Sequence, residues 1–199
     1  MIGLRVMRVT PKMSVATNLQ LIFINPYEAN KMDRKKKIRF LVEGALIAAF
    51  YAGLTFAGIG FSYGSVQFRI SEILTVLPVF TPAAIPGLAV GCFIANIASF
   101  NAMDMIFGTL ATVLAAVTTY LLIKVAIKGI PFLSLLSPVF FNAIIIGAEL
   151  YLLSATPWGF GLTALSIGVS EFVICVILGI PMVLLLKKYN IFDRKDIKK

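Results

Sequence analysis

Six apolar stretches separated by short breaks leave this chain few ways to fold in water. They run over about 40–59, 70–80, 85–100, 105–127, 132–153 and 161–186. Soluble domains carry about 25% charged residues; here 14% are charged, 59% are hydrophobic, and the mean hydropathy is +0.95. No soluble fold of this size hides so much apolar surface, so the bilayer is the solvent and the chain reads as an all-α, polytopic membrane protein of six transmembrane helices. A full span needs about 20 residues. The second and third stretches, bounded by Pro78, Pro82 and Pro86, fall short of that. Each is then tilted or broken, or the pair forms one re-entrant hairpin.

Charge sets the orientation. The formal net charge is +9, which in a soluble protein would suggest nucleic acid. Here the basic residues flank apolar spans instead, as positive-inside anchors do. With six crossings, nine Lys/Arg lie ahead of the first span, Lys124 and Lys128 follow the fourth, and six lie from Lys187 to Lys199, all on one side. Only Arg69 falls on the other side. Both termini are therefore expected in the cytoplasm, and the chain as a multi-pass protein of a cell membrane. Five crossings would put the basic tail outside.

Residues 1–31 do not share this pattern. Their one apolar run, from Leu19 to Ile24, is too short to span a bilayer and too late for a signal peptide. Met32-Asp33-Arg34-Lys35-Lys36-Lys37 resembles a natural cytoplasmic start. Residues 1–31 are expected to be a poorly ordered N-terminal extension of a six-helix membrane domain, 32–199.

The second stretch organises the rest. Ile70, Ile73, Leu74 and Leu77 repeat at helical spacing, so a helix starts near Arg69. Arg69 and Glu72 are three apart and can pair on one face. A loop rich in glycine and serine precedes them, from Gly58 to Ser65. This is either a charged mouth beneath a lid or an interfacial helix anchor. Ionisable groups within spans are costly and face a bundle interior or a cavity. Given the topology, Gln67, Arg69, Glu72, Asn96, Asn142, Glu149 and Glu171 all fall in the outer half of the membrane. Glu43 lies near the cytoplasmic start of the first helix, where pairing with Arg39 explains it. If Arg69 pairs with Glu72, Glu149 and Glu171 remain as buried carboxylates that need a cation or N–H donors. A ligand with an amidine-like edge or an ammonium group supplies both. Trp158, Tyr151, Phe61 and Tyr63 stand at the outer level, either to stack on a flat ring or to form the interfacial belt. Asn96 and Asn142 suit either the ligand or interhelix hydrogen bonds.

Small residues mark the helix faces. Ala45, Ala49 and Gly53 are spaced by four on the first helix, as are Gly44, Ala48 and Ala52, and Gly87, Gly91, Ala95 and Ser99 on the third. Such stripes let backbones approach, inside this bundle or against another membrane protein. There is no phosphate-binding G-x-x-x-x-G-K-[ST] loop and no histidine. ATP hydrolysis by that loop and a Ser-His-Asp set are excluded. Cys92 and Cys175 sit in apolar spans and read as inert thiols; no metal or cofactor is expected.

The stretch from Val66 through Pro78, VQFRISEILTVLP, resembles the signature of the QueT family, the substrate-binding S components of energy-coupling factor (ECF) transporters. The resemblance continues through Ile85-Pro86-Gly87, Phe107 to Thr112, Phe141-Asn142-Ala143 and Gly147-Ala148-Glu149-Leu150, and covers about 34–189. It implies capture of a queuosine precursor, 7-aminomethyl-7-deazaguanine, from outside. The guanine-like edge would donate to one carboxylate and the aminomethyl cation would meet another. It further implies a partner module of one transmembrane coupling protein and two ATPases, met through small residues of the first helix, for which Ala45, Ala49 and Gly53 match and Ala48 and Ala52 are equally eligible. On this reading the chain is no enzyme. The rivals are an S component for another vitamin-like compound, a self-contained proton-coupled carrier using Glu149 or Glu171, and a small membrane enzyme.

Overall fold

Helices make up the regular elements of residues 34–62, 68–97, 101–126, 130–189 and 191–192, which are the residues this computed structural model describes; 61 and 62 are described in their backbone alone. The N-terminal extension lies outside them. We label the helices α1 (Arg34–Ala57, followed by a single turn, Ile59–Ser62), α2 (Ile70–Val79), α3 (Ala84–Ile97), α4 (Asp104–Lys124), α5 (Phe132–Leu152) and α6 (Phe160–Lys188). Among the described residues α1, α4, α5 and α6 are long and apolar enough to cross a membrane, whereas α2 and α3 have only 10 and 14 residues. The sequence expects these two to be the short members, and they are.

The helix beginning after Arg69 is present, but it is a 3₁₀ helix rather than an α-helix over all of Ile70–Val79. Such runs rarely exceed three or four residues, because their hydrogen bonds are poorer. Two features sustain this one. Pro78 lacks the N–H that an α-helical ladder would use near its end. In addition, α2 packs against each of the other five helices, so tertiary contacts rather than local propensity fix its geometry. The 3₁₀ rise also lengthens it: ten residues reach about 20 Å instead of about 15 Å. Thr75 Oγ1 donates to the Glu72 carbonyl at 2.6 Å, and the pattern continues past the helix with Phe80 N–H to Leu77 O at 2.8 Å.

The small-residue stripes of α1 part company in the structure. Gly44, Ala48 and Ala52 are buried against α3, whereas Ala45, Ala49 and Gly53 face outward. A Cβ placed on Gly87 would stand 2.6 Å from the Gly44 carbonyl oxygen, and one on Gly91 would stand 2.8 Å from that of Ala48. The α1–α3 contact is thus backbone against backbone, and Ala48 and Ala52 are consumed by it. Of the five small residues of α1 that the sequence makes eligible to meet a partner, Ala45, Ala49 and Gly53 are the exposed ones. Overpacking of this kind costs about 1–3 kcal/mol or more, since backbone cannot move aside as a side chain can. Gly91→Leu should therefore lower the melting temperature of the detergent-solubilised protein sharply. Gly53→Leu, where a Cβ meets nothing within 4 Å, should leave it nearly unchanged. Equal melting temperatures for the two variants would refute the close α1–α3 packing.

One end of the bundle carries the expected Arg39–Glu43 pair, Nε to Oε1 at 2.7 Å, and Thr81 Oγ1 donates to the other Glu43 oxygen at 2.8 Å. Phe80 meets Phe192 with ring centroids 5.8 Å apart. The start of α1, the end of α2 and Phe192 therefore lie together. Two helices are locally widened to π-helix: α4 over Asp104–Gly108, and α6 over Phe172–Leu178, immediately after Glu171.

Candidate functional site

Toward the other end of the bundle, every helix contributes a polar side chain to one buried cluster. The start of α2 supplies Arg69 and Glu72, at 5% and 1% exposure. Glu72 is held from α1: Tyr51, fully buried, donates its hydroxyl to Glu72 Oε1. Thr55, one turn on, donates to Ser71 Oγ at 2.7 Å and fixes the same turn of α2. Asn142 of α5 stands within side-chain reach of both Glu72 and Glu171, and Thr112 of α4 stands close to Glu72. On α6, Cys175 Sγ donates to Glu171 Oε2 at 3.3 Å and lies 3.4 Å from the Glu72 carbonyl. The Glu171 carboxylate is thereby pinned against the first turn of α2.

The remaining members collect around Gly108. Asn96 Nδ2 donates to the Asp104 carbonyl at 2.9 Å. A Cβ on Gly108 would fall 2.5 Å from that amide nitrogen and 3.7 Å from an Arg69 guanidinium nitrogen. Gly108 is the gap that lets Asn96 and Arg69 meet against α4. Beyond them, Asp104 faces Glu149.

Arg69, buried at 5% exposure, is the cation of this cluster. Arg69 lies near enough for its charge to act on Glu72, the partner its sequence spacing allows, and also on Glu149 and Glu171. Tyr51 adds a hydrogen bond to Glu72 Oε1. Two carboxylates keep oxygens without a hydrogen-bond partner among the described residues: Glu72 at Oε2, and Glu149, only 4% exposed, at both of its oxygens. Buried polar atoms normally find partners, so this centre has more acceptors than donors.

Of the residues singled out from sequence, the structure brings Arg69, Glu72, Asn96, Asn142, Glu149 and Glu171 together. Gln67, Phe61 and Tyr63 lie outside the side chains described. Trp158 does not join the cluster. It is 37% exposed and lines an apolar surface groove of about 610 Å³ with Phe68, Leu162, Leu165 and Val169. Tyr151 is exposed and packs edge-on against Phe160 at 6.2 Å. Sequence reasoning missed Tyr51, Thr112, Cys175 and Asp104.

The profile of the QueT transporter family matches residues 41–188. The chain belongs to the QueT transporter family. The matched span contains every described residue of the cluster. Among curated QueT proteins, one from Lactococcus lactis subsp. cremoris (strain MG1363), named Queuosine precursor transporter QueT, is 40% identical over 81 residues. That alignment covers 40% of this chain and 48% of the relative, so it spans about half the relative's length. No solved structure matches the chain.

Proposed function

We propose that this chain is the substrate-binding S component of an ECF-type importer, and that it captures a queuosine precursor from outside the cell. The observation that carries this reading is the buried, acceptor-rich cluster, above all Glu149 with two unpartnered oxygens among the described residues. A site built this way favours a small ligand that brings N–H donors and positive charge. The compound 7-aminomethyl-7-deazaguanine brings both: an N1–H and exocyclic amine at its guanine-like edge, and an ammonium on its aminomethyl arm. Membership of the QueT transporter family, and the name carried by the lactococcal relative, point to the same class of compound. In this scheme Glu171, set deeper in α6 and braced by Cys175, receives the guanine-like edge. Glu149, nearer the end of α5, receives the ammonium. Asn142, Asn96, Arg69 and Glu72 complete the wall.

The Lys/Arg distribution supports six crossings with both termini inside and the cluster toward the outside. On this reading a separate module, one transmembrane coupling protein and two ATPases, supplies the energy. The outward stripe Ala45, Ala49 and Gly53 is the surface we assign to it. The test is reconstitution. Purified alone, the chain should bind 7-aminomethyl-7-deazaguanine in calorimetry, and its melting temperature should rise with ligand by mass action. In liposomes it should move that ligand only when the module and ATP are present. Transport by the chain alone would show a self-contained carrier instead, and absence of binding would refute the reading.

A further inference from the structure

We propose that Asp104 is a substrate-contacting residue that, together with Glu149, seats the ligand's ammonium group. This deepens the reading above and rests on it. Asp104 opens α4, in a stretch with nothing in its periodicity to mark it, and it is nevertheless buried, at 7% exposure. Its backbone is anchored by the Asn96 amide, and its π-helical turn ends at Gly108, where Asn96 and Arg69 converge. The turn that Asp104 opens packs against α5, which carries Glu149, and the two oxygens of that buried side chain find no hydrogen-bond donor among the described residues.

Two carboxylates brought together in a buried site repel unless one takes up a proton or a cation or donor comes between them. Arg69, which converges with Asn96 at Gly108, leaves both Glu149 oxygens without a hydrogen bond. A ligand ammonium has three N–H donors on one compact charge, so it can bridge Asp104 and Glu149 at once. A metal ion is the other way to satisfy facing carboxylates. It wants a larger converging ligand set, and no group of three or more acidic, thiol or imidazole side chains suited to a metal converges among the described residues. The pair is therefore suited to an organic cation, and the charge of the ligand arm becomes the feature it selects.

The experiment uses the full chain, with 7-aminomethyl-7-deazaguanine and its neutral counterpart 7-methyl-7-deazaguanine as probes in calorimetry. Asp104→Asn keeps the shape and removes the charge. It should weaken the aminomethyl compound about tenfold or more and leave the methyl compound within about twofold. Asp104→Glu restores the charge on a longer arm and should recover part of the loss for the cationic probe alone. Equal losses for both probes, or no loss for either, would overturn the role of Asp104 while leaving the S-component reading in place. Should Asp104→Asn fail to fold, Asp104→Glu decides, because a structural role predicts that both probes shift together. A wild-type chain that binds neither compound would bring down the functional reading itself, and the ammonium seat with it.

Discussion

Glu171→Gln should weaken the cationic precursor and its neutral analogue together, by about one to two decades, whereas Glu149→Gln should penalise the cationic compound far more than the neutral one. Losing a charge-assisted hydrogen bond in a dry site costs about 1.5–3 kcal/mol, and each 1.4 kcal/mol is about a decade in affinity. Glutamine preserves the outline of the side chain, so the substitution isolates charge and acceptor count. At Glu171 the carboxylate offers two acceptor oxygens to a guanine-like edge and the amide offers one; both ligands share that edge, so both suffer. At Glu149 only the ammonium is at stake. Calorimetry on two variants with two ligands gives four affinities. If none of them moves, Glu149 and Glu171 are helix-packing residues.

Ala49→Leu should abolish transport in the reconstituted complex while sparing ligand affinity and thermal stability. Ala49 is exposed on α1, in the stripe with Ala45 and Gly53, and a leucine there points away from this chain's core. If the stripe exists for close approach of another helix, the added branched carbons at its centre keep the two backbones apart. The contrast with Gly91→Leu sharpens the test. That substitution strikes the buried stripe and should damage the fold itself, whereas Ala49→Leu should damage only assembly. Normal transport by the Ala49→Leu complex would show that the outward stripe is lipid-facing and nothing more.

The periodicity of the second stretch and the cost of burying Glu72, Glu149 and Glu171 in an apolar chain make much of this arrangement legible in the amino-acid order alone. Distance from a helix end is enough to collect Arg69, Glu72, Asn96, Asn142, Glu149 and Glu171 at one depth. What the spacing does not reveal is local and has local causes. Tyr51 sits in an apolar run, where an aromatic ring reads as packing; only the neighbouring Glu72 shows that its hydroxyl is used. Asp104 lies at the edge of a span, where an acid reads as a solvated loop residue, and the π-turn that buries it leaves no mark in the spacing. Trp158 belongs to the groove rather than the cluster: it lies in the loop ahead of α6, and its level in the membrane says nothing about which way a loop side chain turns. Likewise, the two stripes of α1 look alike in sequence, and only the partner glycines of α3 decide which one is buried.

A helix with three residues per turn has three straight edges, since side chains at i and i+3 eclipse. On α2, one edge carries Glu72, Thr75 and Pro78, and it meets Cys175, the residue that donates to Glu171. The edge of Ile73, Val76 and Val79 is apolar, and so, beyond Ser71 at its head, is the edge of Leu74, Leu77 and Phe80; between them they fill the two cores that meet at this helix. An α-helix would fan the same residues into an oblique stripe and mix the two duties. Here chemistry and packing occupy separate rails, so substitutions along the first can retune what the cluster accepts while the other two keep the bundle assembled.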